Sequence, residues 1–239
     1  MKVLFSGKNS KNIEDLVKRL GYEIVSDNPD VVLSYGGDGT LLAAERGFPG
    51  IPKIPIRNSA VCKKCPIHGE EILLKKLLKG GLEIKEYSKL ETTIEGKTVL
   101  ALNDFVIRNK EPMHSIRFTV NTRHPEHSEG SLLIGDGIVI STAFGSTGYF
   151  KSITQQTFDS GFGLAFNNTT EKMDPQLFNQ EDQVNFNLVR GQAGLTFDNN
   201  PDIYPIQEGS EIIFKLSSQK ARIYELESLR CPNCIVTRG

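Results

Sequence analysis

Residues 36–40, Gly-Gly-Asp-Gly-Thr, follow the apolar run Val31-Val32-Leu33-Ser34-Tyr35 and lead into Leu41-Leu42. Glycines placed between a strand and a helix let backbone N–H groups approach a phosphate, and the helix dipole favours an anion there. That accounts for Gly36, Gly37 and Gly39. Asp38 is the odd member, because its charge repels a phosphate. It fits if the carboxylate meets a Mg²⁺ ion riding on the phosphates, or a hydroxyl whose proton must be removed. A carboxylate beside a hydroxyl nucleophile and a nucleotide is the layout of phosphoryl transfer. The plainer alternative is a tight turn in which Asp38 caps the following helix.

Residues 135–149, GDGIVISTAFGSTGY, set an apolar strand between two polar glycine turns, the second offering the Ser146 and Thr147 hydroxyls and ending in Tyr149. Hydroxyls and a carboxylate beside a ring suit a ribose or adenine. Asn103 and Asp104 stand side by side after an Ala-Leu strand end; alone, such a pair reads as a turn. The four cysteines form two CxxC pairs, Cys62/Cys65 and Cys231/Cys234. In a reducing compartment that spacing reads as a metal clip rather than as disulfides, with four free thiols as the alternative. The pairs are far apart, so only a fold that returns its C-terminus to residue 60 or so can join them. His68 is a spare ligand for such a clip or a surface residue, and His114, His124 and His127 read as solvated.

These residues need elements to hold them. With 239 residues, 38% hydrophobic, the chain can bury a substantial core. The net charge of −1, with no long run of one sign, gives neither a nucleic-acid footprint nor a membrane-seeking face. The N-terminal apolar run is too short for a secretory signal and no stretch is long enough to span a bilayer, so a cytoplasmic protein is expected. Patterning predicts strands at 2–6, 22–25, 31–35 and 53–56. It also predicts helices from a Ser10 cap to Leu20, from Thr40 to Arg46, and over 70–79. That alternation argues an α/β, Rossmann-like first domain with a parallel sheet, residues 1–84. From residue 85 to 220 the pattern becomes mostly β, opening with a hairpin that turns at Glu95-Gly96. Residues 221–239 form a tail.

Together, and in this order, GGDGT, the Asn-Asp pair after an Ala-Leu strand and the DG-(apolar)-ST…GST-(G/A)-Y block resemble the NAD kinase family. The resemblance implies an α/β domain followed by a β-sandwich-like domain, with ATP, Mg²⁺ and NAD bound in the cleft between them. It implies that Asp38 is the catalytic carboxylate toward the 2′-hydroxyl of the adenosine ribose, and that Gly36, Gly37, Gly39 and Thr40 line the phosphate turn. Asn103 and Asp104 would hold the NAD ribose and nicotinamide side. Asp136, Thr147, Gly148, Tyr149 and Ser152 would surround the nucleotide, some of them from a neighbouring subunit of a homodimer or homotetramer. The family's C-terminal segment also returns to the first domain, which would let Cys231 and Cys234 complete a Cys₄ zinc site with Cys62 and Cys65. The chain departs from the pattern after Asn58, where CKKC stands in place of a Gly-Phe-Leu run. It departs again at Phe144, in place of a small polar residue, and at residues 197–200, where FDNN keeps only Asp198 of an Asp-Gly-Gln turn. The departures gather on the acceptor side, which leaves open a kinase of the same fold with another hydroxyl acceptor, or a nucleotide sensor without catalysis.

Overall fold

The structure, a computed structural model, describes residues 1–122 and 130–229, the side chains of residues 61 and 62 excepted. The chain divides into two compact units. The first holds Met1–Tyr87 with the described residues from Lys220 on, and the second holds Ser88–Gln219.

The first unit alternates β1 (Lys2–Ser6), α1 (Glu14–Arg19), β2 (Glu23–Ile24), β3 (Val31–Tyr35), α2 (Asp38–Gly47), β4 (Lys53–Ile56), α3 (Ala60–Lys63) and α4 (Glu70–Leu78) before β5 (Ile84–Ile94) leads out. The strands lie parallel in the order β2-β1-β3-β4. All five residues of β3 are buried, as expected of a strand covered on both faces. One face packs Val3, Leu33 and Ile54 against Val17 of α1 and Leu73, Leu74 and Leu77 of α4. The other packs Leu4 and Val32 against Ala44 of α2, with Phe48 alongside.

Two local expectations are corrected. Ser10 caps no α-helix: residues 10–13 form a 3-10 turn without a side-chain cap bond, and α1 starts at Glu14. The tighter turn seats Ile13, 1% exposed, in the core. Helix α2 begins two residues before Thr40, at Asp38, because Gly37 already leaves the strand.

Inside this unit Lys53 is fully buried and pairs with Glu45 of α2, which is 3% exposed. Its ammonium also donates to the Phe48 carbonyl. The pair ties the middle of α2 to β4.

The second unit adds β6 (Lys97–Ala101), β7 (Asp104–Asn109), β8 (Ile116–Thr122), β9 (Leu133–Gly135), β10 (Gly137–Thr142), α5 (Tyr149–Thr154), β11 (Phe162–Asn167), β12 (Gln176–Phe178), β13 (Gln183–Arg190), β14 (Ala193–Phe197), β15 (Tyr204–Ile206) and β16 (Glu211–Tyr224). Strands β12-β11-β10-β7-β14-β15 make one antiparallel sheet. In the second unit β16, β13, β8 and β9 run side by side, and the β5–β6 hairpin also pairs with β16. The hairpin turns at Glu95 and Gly96, both with positive φ, which matches the right-handed strand twist. A shared core joins the two sheets face to face, with Phe105 of β7 and Phe214 of β16 at 5.4 Å between ring centres. The last residues of β16 belong to the first unit, where Ile223 pairs in parallel with Lys53. Residues 221–224, expected in a tail, are thus a strand end. No described helix is long and apolar enough to cross a membrane.

Replacing Glu45 by Ala strands a buried ammonium, a change that costs about 3–5 kcal/mol. Urea denaturation of Glu45→Ala is expected to show a loss of that order; a loss below about 1 kcal/mol would mean the pair does not hold α2 in place.

Candidate functional site

Strand β3 ends at Tyr35 and α2 begins at Asp38, so only Gly36 and Gly37 join them. The Gly36 N–H donates to the Ile56 carbonyl at 2.9 Å, and the Gly37 carbonyl accepts from the amides of Thr40 at 3.0 Å and Leu41 at 3.2 Å. The amides of Gly37, Asp38 and Gly39 meet no acceptor among the described residues. Three free N–H groups at the positive end of a ten-residue helix form an anion cradle. A Cβ on Gly36 would lie 2.2 Å from the Thr40 hydroxyl oxygen, so the turn closes only around a glycine.

The cradle opens on a depression of about 710 Å³ lined by Gly36, Gly37, Gly39 and Thr40 together with Gly7, Lys8, Asn9 and Asn58. Gly7 has a φ of +132°, and a Cβ there would lie 2.2 Å from the Tyr35 carbonyl oxygen. Lys8 adds a cation beside the amides. Reading the sequence misses Lys8 and Asn9, although a signal exists: they follow β1, the parallel neighbour of β3, and ligands collect at the carboxyl ends of adjacent strands.

Asp38 is exposed and makes no hydrogen bond or ion pair among the described residues. The N-cap of α2 is Gly37, not Asp38, so the plain reading of Asp38 as a helix cap does not hold. A carboxylate left free between two glycines of an anion cradle suits a divalent cation on bound phosphates, or a hydroxyl proton.

In the second unit Asn103 and Asp104 lie where β6 passes into β7. Asp198, in the left-handed region with φ 47°, accepts the amides of Leu102 and Asn103, both at 2.7 Å. The Thr142 hydroxyl donates to the Leu102 carbonyl at 2.6 Å and accepts from the Gly145 amide at 3.0 Å. A Cβ on Gly145 would lie 2.1 Å from the Asn103 carbonyl oxygen. Gly148 adjoins the Asn103 amide group, and the Asn103 side chain donates to Asp104 at 3.4 Å. Thr147 and Gly148 are exposed, Tyr149 opens α5 half-buried, and the Ser152 hydroxyl donates to the Tyr149 carbonyl at 2.7 Å. Residues 103, 104, 145, 148 and 198 therefore form one constellation.

Asp136 does not join it. Asp104 pairs with Ser141 near the far end of β10, five residues away from Asp136 along an extended strand, or roughly 16 Å. The Asp136 carboxylate accepts instead from Asn168 at 3.1 Å and Asn109 at 3.4 Å.

Asp104 is 7% exposed. Burial pushes its carboxyl up to about 7, and the charge of Asp198 adds to the rise.

Cys65 is buried, and its sulfur accepts the His68 amide at 3.3 Å. Cys231, Cys234 and the side chain of Cys62 lie outside the described residues, as do His124 and His127. Among the described residues no group of three or more His, Cys, Asp or Glu is placed to hold a metal.

A parallel-sheet unit with a glycine turn opening a helix, carried with an antiparallel sandwich, is the two-domain architecture of the NAD kinases. The structure superposes on an NAD kinase from Archaeoglobus fulgidus in complex with ATP with a TM-score of 0.74, at 21% identity, over 96% of this chain and 95% of that one. It superposes on yeast NADH kinase complexed with NADH with a TM-score of 0.78, at 11% identity, over 97% and 86%. In sequence it is 34% identical over 149 residues to the NAD kinase of Sulfurisphaera tokodaii, 61% of this chain and 57% of the relative. It is 30% identical over 144 residues to that of Saccharolobus islandicus, 60% and 56%. The match thus spans less than two thirds of these curated relatives. No family model matches the chain. The chain is thus similar in sequence to NAD kinases over about three fifths of its length, and in fold over nearly all of it.

The Asp104 carboxyl binds its proton more tightly when folded than its ordinary value near 4 allows. The folded state therefore holds the extra proton between about pH 4 and 7, and stability falls as pH rises through that window. Asp104→Asn should remove this slope. Its stability relative to the natural protein, read from denaturant unfolding, is expected to rise from pH 4 to pH 8 by roughly 3–4 kcal/mol at most. A difference that stays flat across that range would show that Asp104 titrates normally.

Proposed function

We propose that the protein is an ATP-dependent kinase that phosphorylates NAD at the 2′-hydroxyl of its adenosine ribose. The observation that carries this reading is the free Asp38 carboxylate within three unpartnered backbone amides at the start of α2. In this reading the amides of Gly37, Asp38 and Gly39, with Lys8 and Thr40, bind the phosphates of ATP. Asp38 faces the acceptor hydroxyl and takes its proton as the phosphoryl group transfers. Mg²⁺ would supply charge neutralisation on the phosphates, and the unpaired Asp38 carboxylate suits it.

On the acceptor side, Asn103 and the protonatable Asp104 offer hydrogen bonds to ribose hydroxyls and the nicotinamide amide. Asp198 and Thr142 fix the backbone that presents them. Thr147, Gly148, Tyr149 and Ser152 flank the nucleotide, and Asp136 serves it from a neighbouring subunit of a homodimer or homotetramer in the cytoplasm. The resemblance implies such sharing between subunits, and the separation of Asp136 from the other residues within one chain supports it. Phe144, 8% exposed, favours a second reading, a kinase of this fold with another hydroxyl acceptor. It fills space where the family keeps a small polar side chain.

We further propose that Cys62, Cys65, Cys231 and Cys234 bind a structural Zn²⁺. Two observations support it. An amide donating to the Cys65 sulfur stabilises a thiolate. The chain just before Cys231 is held beside the segment leading to Cys62, with Arg57 donating to the Leu229 carbonyl at 3.0 Å and the Ser228 hydroxyl donating to that of Pro55 at 2.7 Å.

Purified protein given ATP, Mg²⁺ and NAD is expected to yield NADP, read with an NADP-specific dehydrogenase. Asp38→Asn should lower turnover by at least about 100-fold while calorimetry shows ATP still bound. Intact turnover in Asp38→Asn removes Asp38 from the chemistry, and no NADP from a protein that binds ATP transfers the reading to another acceptor. Elemental analysis should find one zinc per chain, lost in Cys65→Ser along with part of the thermal stability; a metal-free, equally stable natural protein rules the zinc out.

A further inference from the structure

We propose that the second unit carries a separate anion site, formed by Arg117 and Arg190, that takes the phosphate group of a small phosphorylated molecule. The two arginines line a cavity of about 470 Å³ with His114, Ile134, Gln192 and Glu111. That volume is within the range of small-molecule pockets. None of these residues belongs to the glycine turn or to the constellation around Asn103.

The strand register shows that the arginines are brought together by a specific irregularity. Strand β13 pairs Asn187 with Thr119 and Leu188 with Phe118, so regular pairing would next set Val189 opposite Arg117. A bulge between Leu188 and Arg190 sets Arg190 there instead. Bulges re-aim side chains, and they gather beside functional sites. Here the result is two like charges directly opposite each other, an arrangement that destabilises an antiparallel pair. Neither guanidinium makes an ion pair or a hydrogen bond among the described residues. Glu111, the carboxylate in the lining, bridges neither of them.

An anion between the two arginines offsets their repulsion, and a phosphate suits two planar donor forks. The remaining lining divides by chemistry. Ser115 and Gln192 offer neutral polar contacts, while Ile116 and Ile134 supply apolar surface for the organic part of the ligand. Gly191, with φ +105°, turns the chain against Ile116, where a Cβ would lie 3.1 Å from the Ile116 Cγ2. Its amide is already committed to Glu208 at 2.7 Å, so the side chains, not this amide, hold the anion.

Pyrophosphate is the probe. Hydrogen exchange of the full chain should slow at residues 116–117 and 190–192 when pyrophosphate is added. In Arg117→Gln/Arg190→Gln that protection should vanish while exchange in β10 stays unchanged, showing that the variant is folded. Arg190→Lys, which keeps the charge but loses the fork, should bind pyrophosphate about tenfold more weakly at this site. Any protection at residues 36–40 is read separately, so failure of the kinase reading does not affect the result. Absence of protection at 190–192 in the natural protein overturns the proposal, and so does protection that survives the double substitution. Loss of self-association in the double variant with pyrophosphate protection unchanged also overturns it, and would make this face a contact between copies of the chain.

Discussion

The buried Lys53–Glu45 pair is the constraint on which the glycine turn at residues 36–39 depends. Lys53 sits on β4, its backbone paired with Val32 on one side and Ile223 on the other. An ammonium in that position must find an acceptor, and Glu45 is the carboxylate α2 supplies. The rotation of α2 about its axis is thereby set. Seven residues make almost two turns of helix, so Asp38 lies on nearly the same face as Glu45. Glu45 faces a strand and is buried, whereas Asp38, two turns nearer the helix start, has passed the ends of the strands and is exposed. One ion pair therefore fixes both where the free amides of the turn lie and which way the free carboxylate faces.

The two chemical neighbourhoods are built by different means. The glycine turn is made of backbone: amides at a helix start, and glycines at positions 7 and 36 where a Cβ would collide with a carbonyl or a hydroxyl. The constellation around Asn103 is made of side chains acting on backbone. Asp198 and Thr142 hold residues 102–103 by hydrogen bonds to their amides and carbonyls, and Asp104 is drawn into the interior beside the Asp198 charge. A backbone cradle survives most substitutions that spare its glycines. A side-chain constellation changes its preferences with a single replacement.

That difference explains how much of the molecule was legible from the sequence. Strand β3, its glycine turn and α2 were readable, since five apolar or small residues run straight into a glycine cluster. That the first sheet is parallel followed from the alternation of elements, while its strand order did not. Strand β11 was not readable. Gly163 interrupts it because a Cβ there would lie 2.7 Å from the Phe158 ring and 2.8 Å from the Phe150 ring, and a glycine demanded by aromatic packing looks like a turn. The burial of Lys53 carries no local signal, since a lysine in a strand suggests solvent and its partner is known only once α2 is laid over β4. Lys8 and Asn9 carry no local signal, because their place in the depression arises from a neighbouring strand. The separation of Asp136 from Asn103 was hidden because pairing register, not spacing, decides which ends of β7 and β10 coincide.

The turn at residues 197–200 shows that a lost motif is not always a lost geometry. Asp198 and Asn199 both adopt the left-handed conformation, with φ of 47° and 52°, which aspartate and asparagine tolerate better than other non-glycine residues. FDNN thus makes the bend that a glycine would otherwise allow, and it keeps the carboxylate that binds the amides of residues 102 and 103. Phe144 is a departure of another kind, since a buried ring adds volume and removes a hydrogen-bonding group, and no backbone adjustment restores either. Divergence that is absorbed by φ and ψ leaves the backbone of residues 102 and 103 held by Asp198, whereas divergence in side-chain volume is not absorbed in this way. Position 144 is therefore where the departure from the pattern changes the packed volume of the protein, and not only its backbone dihedrals.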